Sequence, residues 1–246
     1  MATPAYRQIA EAIRADIAAR RLVEGDRLPT VRALAESYRA PTGTVARALD
    51  LLRAEGVIVS RHGRGLYVRT FSRITRSSPQ RLSKHQWTSG KSIQDCDTAG
   101  RPRTVHVVVC EVTAPEAVAV ALGLRSGANV LSRARKFAVD ERLVQQATSY
   151  IPLDVAAAAP AVAYTDPGPG GMYARMAEVG LGPARFTEAL VCRMPTPAEM
   201  SELDLPDGTP VVVITRHAYT NDDRCVEVNT MVLDASAYAL EYRFAA

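Results

Sequence analysis

Residues 28–65, LPTVRALAESYRAPTGTVARALDLLRAEGVIVSRHGRG, constrain this chain more than any other stretch. An apolar set at helical spacing, Val31, Leu34, Ala35 and Tyr38, is followed by Pro41-Thr42-Gly43. A second set, Val45, Leu49 and Leu52, runs up to Gly56, a helix-terminating glycine. Thr30, directly after Pro29, is placed to cap the first of these helices. Two short alternating stretches follow, 57–60 and 66–69, joined by RHGRG. Helix, tight turn, helix and a glycine-tipped ribbon is the winged helix-turn-helix pattern, in which the second helix enters the DNA major groove. An earlier helix over about 6 to 21, with Tyr6, Ile9, Ile13, Ile17 and Leu22 on one stripe, completes a DNA-binding domain over residues 1–69.

The chemistry follows from that order of elements. The start of the recognition helix presents Thr42, Gly43, Thr44 and Arg47, and helix N-terminal amides and threonine hydroxyls suit phosphate oxygens. Arg47 has the reach for a guanine edge or a phosphate. Arg32 stands near the start of the helix that crosses the backbone. Gly63 and Gly65 let the ribbon tip approach a groove closely, with His62 and Arg64 as its polar ends.

This segment resembles the DNA-binding domain of the GntR family of bacterial transcription regulators. The residues that carry the likeness are 6–9, 25–29, Arg32, Leu34-Ala35, Thr44-Val45, Ala48-Leu49, Leu52, Gly56 and the HGRG tip with Tyr67-Val68. The family often has Ser-Arg where this chain has Pro41-Thr42, and Arg where it has Ala46. The resemblance therefore implies DNA binding, with an operator that differs from the usual family one.

Charge changes sign along the chain. Residues 1–69 carry 12 Arg and Lys against 7 Asp and Glu, residues 70–103 carry 7 against 2, and residues 104–246 carry 11 against 17. A basic front on an acidic back fits a polyanion-binding head on a sensing or dimerising body. With 246 residues there is room for two ordinary domains. No apolar run is long enough to span a membrane, and the start lacks a signal-peptide core, so the expected location is the cytoplasm. Cys96, Cys110, Cys192 and Cys225 are scattered without zinc spacing, which predicts reduced, mostly structural thiols, no metal and no cofactor.

Residues 70–103 are rich in Ser, Arg and Gly with little periodicity. They read as a mobile linker and the start of the second domain, with Trp87 as an anchor. From Thr104 onward strands and short helices alternate. Hairpins are expected about Asp140-Glu141 and Asp222-Asp223, and a helix over 172–179. The run from Glu111 to Phe137 matches the run from Glu188 to Ala218: strand, proline-led helix, glycine turn, long strand. That repeat predicts a pseudo-symmetric sheet with helices on one side, and an α+β class for the chain.

This order resembles the UTRA effector-binding domain of the HutC subfamily, which has a chorismate-lyase-like fold. The markers are Arg133-Ala134-Arg135, residues 149–152, Gly171-Met172-Tyr173, Glu188, Pro210-Val211-Val212, Glu227 and Tyr238. The resemblance implies an effector-binding and dimerisation domain over residues 104–246, with Arg133, Arg135, Tyr173 and Glu227 as effector-binding residues. Arg133 and Arg135 share one face of a strand, so two guanidiniums can converge on a carboxylate or phosphate. Ala147, Gly171 and Leu233 replace polar residues frequent in sugar-phosphate-binding members, which implies a more apolar acid or a lost effector site.

The reading that unites these features is a homodimeric repressor that binds a palindromic operator in double-stranded DNA and is released by a small anionic effector. The alternatives are an effector-less repressor whose second domain only dimerises, and a lyase-like enzyme. No GxSxG, Walker loop or HExxH supports the enzyme.

Overall fold

The computed structural model describes residues 3–61, 63–69, 73–91, 93, 95–98, 101 and 103–243. Two compact units emerge, one of residues 1–72 with 194–210, the other of residues 73–193 with 211–246. His62 lies outside the described residues.

The first unit is built on α1 (Ala5–Ala18), α2 (Val31–Tyr38), α3 (Thr42–Ala54), β1 (Ile58–Arg61) and β2 (Gly65–Val68). The apolar stripes meet in one core of Ile9, Ile13, Leu34, Val45, Leu49, Leu52, Ile58 and Val68. Thr30 caps α2, its Oγ accepting from the Ala33 amide at 3.2 Å. β1 and β2 pair antiparallel, Ile58 opposite Val68 and Arg61 opposite Gly65. Two expectations shift. The first helix ends at Ala18, two residues before Arg20 turns left-handed at φ 56°. Val31, placed inward by spacing, is 36% exposed, because α2 is short and only Leu34 among its residues is fully buried.

The second unit opens with β3 (Ile74–Ser77), α4 (Ser78–Arg81), α5 (Lys84–Thr88) and α6 (Asp95–Thr98). The stretch read as a mobile linker is thus ordered from Ile74 through most of its length. Ile74 and Trp87 are buried, and so are two of its cations, Arg76 and Arg81.

The sheet follows: β4 (Arg103–Thr113), α7 (Glu116–Ala121), β5 (Asn129–Val139), β6 (Arg142–Pro152), α8 (Leu153–Ala158), a 3-10 turn over Pro160–Ala163, α9 (Gly171–Glu178), β7 (Arg185–Arg193), β8 (Val211–Tyr219), β9 (Cys225–Asp234) and β10 (Tyr238–Glu241). Between β7 and β8 in the chain lies α10 (Pro197–Leu203), which falls in the first unit. Six strands form an antiparallel sheet in the order β4-β5-β6-β9-β8-β7, and β10 pairs in parallel with β3. The two repeats are β4-α7-β5-β6 and β7-α10-β8-β9, and they meet at the β6–β9 seam. The β5–β6 hairpin turns through Asp140 and Glu141 with φ of 49° and 63°, the left-handed pair of a tight two-residue turn.

Helices do not all lie on one side. α7 packs on the face carrying Val130 and Val228, while Leu131 and Ile151, on the opposite face, pack with Val155, Met172, Tyr173 and Trp87. Cross-strand alternation exposes apolar residues on both faces, so both need a cover. Cys110, Cys192 and Cys225 are free thiols; Cys225 is buried, whereas Cys110 and Cys192 are exposed on the outer strands β4 and β7, which departs from mostly structural thiols. The Cys96 side chain lies outside those described.

Gly170 shows how tightly the cover of the second face is set. Its φ is 78°, and a Cβ there would lie 2.3 Å from the Trp87 carbonyl oxygen. Gly170→Ala is expected to cost about 1–3 kcal/mol through backbone strain and that clash. Denaturant unfolding followed by Trp87 fluorescence should record it.

Candidate effector cavity and DNA-binding face

In the first unit Pro41 offers no side-chain cap to α3. Thr42, Gly43 and Arg47 are exposed and Thr44 half-buried, so the first turns of α3 are free for phosphates and bases. The Arg47 guanidinium lies 4.2 Å from the centre of the Tyr6 ring on α1, a cation–π contact. Arg32 is exposed and pairs with Glu36 at 3.3 Å, a contact worth little in solvent. Gly63 and Gly65 take φ of 68° and 108°, and the exposed Arg64 accepts a hydrogen bond from the Tyr67 hydroxyl on its carbonyl at 3.2 Å. Arg39, which stands in no sequence motif, adds an exposed guanidinium in the turn between α2 and α3.

Arg47→Ala should weaken operator binding by about 1–3 kcal/mol and relax base preference if the side chain reads a base. Unchanged affinity and preference in a binding-site selection would remove Arg47 from the reading set.

The second unit holds a half-open cavity of about 300 Å³ between β4, β5 and the start of α9. Its charged end derives from sheet register. Arg133 stands opposite Ser149, Ser149 opposite Asn229, Asn229 opposite Arg216, and Arg216 opposite Glu188. Directly paired residues project to the same face, so these five form one polar row across five strands. Arg135 follows two residues after Arg133 and Glu227 two residues before Asn229, again on that face.

Glu227 is fully buried and organises the row. One of its oxygens accepts from Ser149 Oγ, the other from the Tyr173 hydroxyl, and Arg216 Nη2 stands 3.9 Å away. Burial drives the Tyr173 phenol well above its usual range, opposed by Arg216 and reinforced by Glu227, so the phenol stays protonated and donates. Trp87 and Phe186 hold that ring, with centroids 5.5 and 5.4 Å from it. Arg135 donates to Ser149 Oγ, and burial lowers its pKa to about 10, with Glu227 opposing.

The four residues singled out by resemblance therefore divide by role. Arg133, Arg135 and Tyr173 line the cavity, whereas Glu227 lies beneath it. Arg133 turns its guanidinium to the backbone: Nη1 donates to the carbonyls of Val162, at 2.9 Å, and Tyr164, and Nη2 to that of Thr165 at 3.4 Å. The second cation of the cavity floor is Arg216, 1% exposed, with Nε and Nη1 lacking a hydrogen-bond partner. A sequence signal for Arg216 existed. It occupies an inward position between Ile214 and Ala218 in an alternating strand.

Comparison with known proteins settles the family. Residues 98–239 match the UTRA domain, and residues 5–68 match the bacterial regulatory proteins of the gntR family. The chain belongs to the GntR family. Its two-domain make-up is that of the HutC subfamily, and it is a DNA-binding transcription regulator rather than an enzyme. It is similar to an HTH-type transcriptional regulator of Streptomyces coelicolor, SCO4628, with 30% identity over 98% of this chain and 93% of that one. It also resembles the HTH-type transcriptional repressor PhnF of Mycolicibacterium smegmatis, with 28% identity over 82% of this chain and 78% of that one. A solved GntR-family regulator superimposes with a TM-score of 0.63 at 27% identity, covering 99% of this chain and 98% of that one. Among the described residues no helix is long and apolar enough to cross a membrane.

Proposed function

We propose that this regulator is a homodimeric repressor whose operator affinity is lowered by a small anion bound in the second-unit cavity. The observation that carries the reading is a buried cavity floor where Arg135 and Arg216 both keep unpartnered N–H groups. A buried donor without an acceptor is costly, and an anion would satisfy several at once. PhnF, similar over most of its length, is described as a repressor, which supports the same sign of regulation here. A two-fold dimer presents two α3 helices, which suits a palindromic site with half-sites about one helical turn apart. The domain limits proposed with it are 1–69 for DNA binding, 70–103 for a linker and the start of the second domain, and 104–246 for effector binding and dimerisation. Cytoplasmic location goes with contact to chromosomal DNA.

The effector acts only through its differential affinity for the DNA-competent and released states. Arg133→Ala with Arg135→Ala should leave operator affinity within about threefold of wild type, since neither side chain is part of the DNA-binding face. The same variant should lose release of operator DNA by a cell metabolite extract, measured by fluorescence anisotropy. Equal release from both proteins would place the effector elsewhere. No release from wild type would favour an effector-less repressor whose second domain only dimerises.

A further inference from the structure

We infer that the effector is a compact amphipathic monocarboxylate, with an aliphatic or aromatic body and a single acid group held by Arg135 and Arg216, and not a sugar phosphate. The inference rests on the effector reading above and adds the chemical class of the ligand.

The walls decide the body. Ile93, Val105, Val107, Phe137, Pro167 and Met172 line the cavity. Several of its other polar groups are engaged elsewhere. Tyr173 donates to Glu227. The Gly171 amide donates to the Gly168 carbonyl at 3.0 Å, and the Gly170 amide to that of Gly90 at 3.0 Å. Asp166 and Thr165 are exposed, at the mouth. A sugar ring would bury several hydroxyls against Val, Ile and Phe without acceptors, losing about tenfold in affinity for each unmatched hydroxyl. The volume of about 300 Å³ holds roughly ten water-sized groups at ~30 Å³ each.

The charge of the floor decides the head. Arg76, Arg81, Arg103, Arg133, Arg135 and Arg216 stand about the row and the cavity, against the carboxylates Asp97, Asp166, Glu188 and Glu227. Six cations face four anions, so an acid group entering the cavity offsets part of a positive surplus. Arg216 Nε, Arg135 Nε and Arg133 Nε lack a hydrogen-bond partner, and so does Arg216 Nη1, which stands 3.9 Å from Glu188. A planar carboxylate can accept from two guanidiniums with its two oxygens.

The test uses the full-length protein and six probes in calorimetry and thermal shift: benzoate, 3-phenylpropanoate, octanoate, 3-phenylpropanamide, inorganic phosphate and glucose 6-phosphate. At least one of the three acids should bind at least about tenfold tighter than the amide, phosphate and glucose 6-phosphate. Val107→Asp, on the edge strand β4, places a like charge in the apolar wall and should abolish that binding with the fold intact. Arg216→Gln should weaken it by about 10–100-fold, the loss of a charge-assisted pair. Tighter binding of glucose 6-phosphate would overturn the monocarboxylate class while leaving the effector reading standing. Equal binding of acid and amide, or no change in Val107→Asp, would overturn the clamp or its placement. If no acid binds while a metabolite extract still releases DNA in an Arg135-dependent way, the class is wrong and the effector reading survives. If no acid binds and no extract releases DNA, both fall.

Discussion

Replacing Glu227 by alanine will cost the second unit about 3–5 kcal/mol, the largest loss expected from any single charge in this chain. The carboxylate is fully buried and accepts from Ser149 and Tyr173 while standing 3.9 Å from Arg216. Without it Arg216, also buried, loses one of its two nearest acids, and two hydroxyls lose their acceptor. Glu227→Gln keeps the shape and one acceptor oxygen, so its loss should be smaller. Glu227→Leu paired with Arg216→Met removes both charges and should recover most of the stability, because the pair is worth little against well-packed apolar side chains. Trp87 is the sole tryptophan and packs against Tyr173, so denaturant titrations followed by its fluorescence read this site directly. A Glu227→Ala midpoint equal to wild type would mean the row is solvated and the buried network is not formed.

Operator affinity will fall by about a thousandfold or more between roughly 50 and 200 mM salt, as counterions are released from about six or more phosphates neutralised by a dimer. The first 69 residues carry 12 arginines and no lysine, and Arg32, Arg39, Arg47 and Arg64 are exposed among them. Arg32→Ala and Arg64→Ala should each weaken operator and random DNA by similar factors and lower the salt slope by about one for each phosphate no longer neutralised. Arg47→Ala should instead separate operator from random DNA. Anisotropy titrations over a salt series distinguish the two classes. A slope near zero would mean that binding is not driven by phosphate neutralisation.

The helices of the first unit were legible because each carries its own punctuation. Thr30 caps α2, Pro41 opens α3, Gly56 closes it, and the apolar spacing fixes the inward faces. Val31 was misplaced because spacing alone does not tell how far a two-turn helix extends over its core. The segment 73–98 was illegible for a different reason. β3 finds its partner in β10, more than 150 residues away. Arg76 and Arg81 stand in the stretch read as a mobile linker, although both are buried against Glu188 and Asp97. Composition reports solubility for such residues, and only distant neighbours make them internal.

In the cavity, the pairing of Arg133 with Arg135 followed from strand alternation, but their roles did not. Alternation puts both on one face. It does not show that the 3-10 turn over Pro160–Ala163 and the residues after it bring three carbonyls to Arg133, or that Arg216 arrives beside Arg135 from the other half of the repeat.

By itself the sequence determined the two-domain plan, the winged helix-turn-helix with its exposed arginines, the hairpins and the repeated strand–helix–strand halves. These are local signals, set by periodicity, caps and turn residues within about fifteen positions of one another. Only the tertiary structure decided the polar row of Arg133, Ser149, Asn229, Arg216 and Glu188, and with it the cation that faces Arg135. The cause is register. The β6–β9 seam joins halves that lie far apart in the chain, and a slip of one residue there would send Asn229, Arg216 and Glu188 to the opposite face.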